Sequence, residues 1–67
     1  MTTRERAIQY AEEHRQIHVL YRDFFRQHPP TSASERQYRR AVGGVTHHEE
    51  SIRRYDTILR ALRSGAK

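Results

Sequence analysis

The 67-residue chain predicts an all-α fold, a two-helix antiparallel hairpin, on three observations. Ala7, Tyr10, His14, Ile17, Tyr21, Phe24 and His28 recur at alternating steps of three and four, the spacing that puts residues on one narrow face of a helix. Tyr38, Ala41, Val45, His48, Ile52, Tyr55, Leu59 and Leu62 repeat the pattern. Between the two stripes stand Pro29-Pro30 and the polar stretch Thr31 to Ser34, which stop one helix and open the next.

Helix 1 is expected over about 3–27. Thr2 and Glu5 form a capping-box pattern at its start, each side chain satisfying a free amide of the first turn. Pro29 pushes His28 out of the helical region, and Arg26 and His28 suit the negative end of the helix dipole. After a turn over 28–33, Ser32 with Glu35 is a second capping box, and helix 2 is expected over about 34–63 with Gly65 available to end it. Gly43-Gly44 interrupts this reading, because two glycines cost roughly 1.5–2 kcal/mol relative to alanines. Thr46 and Glu49 just beyond them repeat the capping-box pattern. Three helices with a break at the glycines is the alternative; the unbroken phase of the stripe favours one continuous helix, bent there. The whole chain, 1–67, reads as a single helical-hairpin domain.

The turn fixes a register. With a short connection, facing residues should have numbers summing to about 62. That sets Tyr10 against Ile52, Ile17 against Val45, Tyr21 against Ala41, Phe24 against Tyr38, and His14 against His48. It also leaves Leu59 and Leu62 beyond the start of helix 1. Leu20, Phe25, Val42 and Ile58 widen the stripes past what one hairpin buries, and so short a chain makes a small core. Two hairpins are therefore expected to pack as a homodimeric four-helix bundle. Its interface would draw on Tyr10, His14, Ile17, Tyr21, Phe24, Phe25, Val45, His48, Ile52, Tyr55, Leu59 and Leu62. The layout resembles the repressor-of-primer hairpin dimer in architecture alone, with no shared motif.

Thirteen basic residues, twelve of them arginine, against eight acidic ones give a net charge of +5. With no cysteine, disulfides and thiolate metal sites are excluded. No apolar run is long enough for a membrane span and no signal-peptide pattern opens the chain, so a cytoplasmic protein with no membrane contact is expected. A basic balance in a short chain favours an acidic partner, with nucleic acid the commonest.

Two clusters carry chemistry. On helix 2, Arg39, Arg40, Arg53, Arg54 and Arg60 project from the outer flank as a basic stripe about 30 Å long, while Glu35, Glu49, Glu50 and Asp56 fall toward the other flank. No aromatic residue interleaves with the arginines, so contact with DNA or RNA would be backbone-directed and salt-sensitive. The second cluster is a histidine layer. His14, His18 and His48 could hold zinc or iron, since His14 and His18 are one turn apart. The glutamate-then-histidine spacing of di-iron bundles is absent, so the layer reads first as a determinant of register and interface. No phosphate-binding glycine loop, nucleophile elbow or cysteine nucleophile is present, which argues against an enzyme. Gly44-Val45-Thr46 suggests the start of a recognition helix, but Glu50 stands where that motif needs an apolar residue. The expected function is that of a small homo-oligomeric binding or regulatory module touching nucleic-acid phosphates. A metal-binding bundle and an adaptor for another protein are the alternatives.

Overall fold

The computed structural model describes residues 1–65. Three helices follow in order: α1, Thr3–Gln27; α2, Ala33–Val42; and α3, Val45–Arg63. The molecule is elongated, 48 × 19 × 18 Å. No helix among the described residues is long and apolar enough to cross a membrane.

The ends of α1 follow from its sequence. Thr2 Oγ1 accepts the Glu5 N–H at 3.1 Å and Glu5 Oε1 accepts the Thr2 N–H at 2.9 Å, completing the capping box. His28 leaves the helix at φ −126°, ψ 84°, the extended conformation that a following proline imposes. At α2 only half of the expected box forms. Ser32 Oγ accepts the Glu35 N–H at 3.1 Å, but the Glu35 carboxylate turns to Thr31, accepting from its N–H at 3.1 Å and its hydroxyl at 3.0 Å.

The second helix is not straight and continuous: it bends at Gly43-Gly44, where its hydrogen bonding is interrupted between α2 and α3. Gly43 takes φ +94°, a left-handed conformation that glycine adopts at little cost. Gly44 is the N-cap of α3 and lends no side-chain oxygen, and Thr46 is already inside the helix rather than capping it. Phase continuity of a stripe stabilises a helix only where the stripe is buried, and α2 has no buried residue. Nothing on α2 therefore offsets the glycine penalty.

Among the described residues, α1 and α3 pack against each other along their length, and α2 lies along neither. The two helices run antiparallel, with Arg4 reaching Leu62, Arg15 reaching Asp56, His18 reaching His48 and Arg26 reaching Glu49. The short α2 acts as a spacer, so the pairing is shifted from the expected register, by one turn at His18 and His48 and by more than two turns on average over these pairs. Ala11 and Phe25 of α1 are buried with His48, Ser51, Ile52 and Leu59 of α3. Leu59, expected beyond helix 1, is only 4% exposed. Phe25, Ile52 and Leu59 each contribute roughly 1.5–3 kcal/mol of burial. Ser51 is satisfied inside the core by donating to the His47 carbonyl at 3.0 Å.

Polar contacts border this seam. Arg15 pairs with Asp56 at 2.6 Å, and Arg26 with Glu49 and Arg63 with Glu12 also bridge α1 to α3. Solvent-facing pairs of this kind are worth at most about 1 kcal/mol each. At the far end, Arg4 donates from Nε to the Leu62 carbonyl at 2.6 Å and from Nη2 to the Arg63 carbonyl at 3.1 Å, placing a cation on the negative end of α3. Gly65 follows with φ +71°, as expected for a glycine that ends a helix.

Candidate nucleic-acid interface and the histidine layer

The shifted register changes the histidine layer. His14 does not meet His48; its ring stacks on Tyr10 at 4.0 Å and lies 6.1 Å from Tyr55. His18, one turn later, takes the facing position, with Nδ1 2.7 Å from Nδ1 of His48. One of these nitrogens donates and the other accepts, so the pair is neutral in at least one ring. His48 is 2% exposed, roofed by Tyr21 in near-parallel stacking at 4.9 Å and 5°, and flanked by Phe25 at 6.0 Å. His47 approaches both rings edge-on, at 6.1 Å from His18 and 5.1 Å from His48.

This surrounding sets the basicity of the layer. Burial lowers His18 below the ordinary histidine value, and positive charge on His48, His47 and His14 lowers it further. Burial likewise lowers His48, with His47 adding to the effect, while the Gly43 and Val42 carbonyls oppose it. Nε2 of His48 is buried and has no well-formed hydrogen bond, the Gly43 and Val42 carbonyls acting on the ring from outside hydrogen-bond geometry. The expected ligand set His14, His18 and His48 is not assembled. His18 and His48 turn Nδ1 toward each other, His14 faces two tyrosines, and no three histidine, aspartate or glutamate side chains among the described residues group as zinc or iron ligands.

The twelve residues expected at a dimer interface divide into three sets. Phe25, His48, Ile52 and Leu59 are buried between α1 and α3 within one chain. His14, Tyr21, Val45, Tyr55 and Leu62 are half-buried. Tyr10, Ile17 and Phe24 are exposed.

The arginines separate just as clearly. Arg39 is half-buried, its guanidinium 4.5 Å above the Phe25 ring and Nη1 donating to the Phe25 carbonyl at 3.2 Å. Arg40, Arg53, Arg54 and Arg60 are exposed and form no ion pair among the described residues. The break at the glycines divides the expected stripe. On α3 the run from Arg53 to Arg60 covers about 10 Å. At 100° per residue, Arg53, Arg54 and Arg60 face away from His48, Ile52 and Leu59, and the exposed Glu50 shares that outward side instead of the opposite flank. Glu49 and Asp56 are taken up by Arg26 and Arg15.

Sequence reasoning missed Arg36 and gave His47, noted only as a neighbour of the histidine layer, no place in a site. They join Arg39 and Arg40 around an open cleft at the glycine break, beside the start of α3, which has neither a side-chain cap nor an acid in its first turn. The signal was the Gly43-Gly44 pair, which brings the end of one helix and the start of another to one place.

Compared with known proteins, the chain matches no family model, no curated protein and no solved structure.

Proposed function

We propose that this chain is a small self-associating helical module that binds nucleic-acid phosphates through Arg40, Arg53, Arg54 and Arg60. The observation that carries this reading is the division of the arginines. Arg15, Arg22, Arg26 and Arg63 are neutralised by carboxylates, whereas these four, like Arg6 and Arg36, are exposed without an ion-pair partner among the described residues. Guanidinium groups in that state fit phosphate oxygens two at a time and release counterions when they do. All four tyrosines lie elsewhere, on the stripe positions, so recognition is of the backbone and not of stacked bases. Arg39, half-buried against Phe25, supports α2 and is left out of the contact set.

Fluorescence anisotropy against duplex DNA and a structured RNA, at several salt concentrations, tests this. Binding should weaken with salt at a log–log slope of about −3 to −4 per chain, near −0.9 for each phosphate neutralised. Arg53→Glu/Arg54→Glu should reduce affinity by at least tenfold while leaving the far-UV circular dichroism unchanged. A flat titration at low salt, or a double variant that binds as the parent does, would overturn the reading.

A further inference from the structure

One face of α1 is left apolar and exposed within the chain. Tyr10, Ile17 and Phe24 stand at seven-residue intervals on one side of the helix, with Leu20 beside them, and all four are exposed, at 58%, 46%, 55% and 60%. Tyr38 of α2, 56% exposed, continues this surface past Phe24, where it closes one side of an apolar groove lined by Ile17, Leu20 and Phe24. A helix that leaves a seven-residue apolar repeat in water is half of a helix pair.

Area leaves room for a partner. A compact monomer of 8.0 kDa exposes about 4,450 Å², whereas this chain exposes 5294 Å². The elongated 48 × 19 × 18 Å shape accounts for part of the difference, and it leaves ample surface for the roughly 800 Å² that each partner contributes to a standard interface. Charge argues for the occupant. In a chain of net charge +5, two copies can meet closely only across a face without exposed cations. Between Tyr10 and Gln27 this face and its borders hold Glu13, Gln16 and Gln27 and no arginine; the exposed Arg6 lies on the same line one turn before Tyr10, at the end of the face.

We infer that a second copy of this chain docks here, α1 against α1 in antiparallel orientation, with the twofold axis at Ile17. The stripe is symmetric about Ile17, so this orientation lays Tyr10 of one copy on Phe24 of the other, next to the groove closed by Tyr38. A parallel pairing would instead set Glu13 against Glu13. The inference rests on the self-association in the function proposed above and assigns it a surface; α3, already buried against α1, plays no central part. The phosphate-binding arginines of α3 then lie outside the interface.

Sedimentation equilibrium of the full chain at micromolar concentration tests it. The parent should run at twice the 8.0 kDa chain mass, and Ile17→Glu and Leu20→Lys should each run as monomers with unchanged helicity, both sites being exposed within one chain. Mixing Tyr10→Cys with Phe24→Cys under oxidation should give the mixed disulfide in preference to either self-crosslink. A monomeric parent overturns self-association and this interface together. A dimer that survives both charge variants but dissociates with Ile58→Glu keeps self-association and overturns this face. Predominant self-crosslinking of Tyr10→Cys overturns the antiparallel orientation.

Discussion

His18 and His48 share a single hydrogen between Nδ1 atoms 2.7 Å apart, one on each of the two packed helices. The two nitrogens cannot both be protonated without placing two donors face to face. Both rings are held below the ordinary value of 6.5, by burial first and then by the neighbouring histidines. A histidine lowered on folding is neutral in the folded chain while the unfolded chain has begun to take up a proton. Its contribution to stability is complete above pH 6.5 and is lost as pH falls from there through the folded-state value. Urea unfolding followed by circular dichroism should therefore give a flat stability from about pH 8 to about pH 7 and a decline toward about pH 5. His48→Phe keeps a ring under Tyr21 and removes the buried, unpaired Nε2, so its profile should be flatter through that window. Equal stability at both ends for the parent would show that the pair ionises freely.

The two adjacent glycines should respond to substitution with opposite signs. Gly43 sits at φ +94°, and a Cβ there would run into the His47 ring, well inside contact distance. Gly43→Ala should lose at least about 1–2 kcal/mol, the penalty for a left-handed L-residue, before His47 is displaced. Gly44 lies at φ −85° with no neighbouring atom within 4 Å of its would-be Cβ. Gly44→Asp supplies the missing N-cap oxygen, adds a negative charge at the start of α3 and restricts the unfolded chain, for a gain of about 0.5–1.5 kcal/mol. Thermal melts of the two variants should fall on opposite sides of the parent, about 4–8 °C apart for each kcal/mol.

How far the sequence carried depended on whether a feature was local. Thr2 with Glu5 and Gln27 before His28-Pro29 set the ends of α1 to the residue, because caps and prolines act within four positions. The all-helical class followed from the stripes for the same reason. The register did not, because it hangs on whether Ala33–Val42 packs, a tertiary question that a repeat in phase cannot answer. Tyr38 and Ala41 keep the period of Val45 and His48, yet both are exposed. Once α2 is a spacer, His48 slides from His14 to His18, and Leu59 moves from solvent into the core. The arginines were legible as a group, but which of them stay unpaired was decided by distant carboxylates such as Glu12 and Glu49.

Arg4 ties the two ends of the hairpin together. Its guanidinium is bonded to the Leu62 and Arg63 carbonyls at the end of α3, where, among the described residues, Leu62 otherwise receives only the long Gly65 N–H bond at 3.4 Å. Arg4→Met keeps much of the side-chain bulk while removing the donors, and should cost about 0.5–1 kcal/mol at this exposed terminus. The local effect should exceed the global one. Amide exchange should accelerate in the last turn of α3, where the Ser64 N–H bonds to the Arg60 carbonyl, while amides around Ile52 keep their protection. Uniform acceleration across α3 would mean that Arg4 holds the whole helix and not its end.

Arg39 decides how firmly α2 is held. That helix contributes no residue to the core, and its attachment to α1 runs through Tyr38 at the apolar groove and Arg39 over Phe25. The guanidinium stacks on the ring while Nη1 donates to the carbonyl of the same residue, a double contact that a lysine ammonium cannot reproduce. An exposed cation–π contact is worth about 0.5–1 kcal/mol, which corresponds to a two- to fivefold change in local opening. Arg39→Ala should therefore raise amide exchange throughout α2 by at least that factor, with Arg39→Lys intermediate, and leave α1 and α3 unchanged. Phosphate binding should weaken only modestly, since Arg40 loses a fixed position while Arg53, Arg54 and Arg60 keep theirs on α3. If α2 exchanges at the parent rate in both variants, its hold on α1 lies with Tyr38 instead.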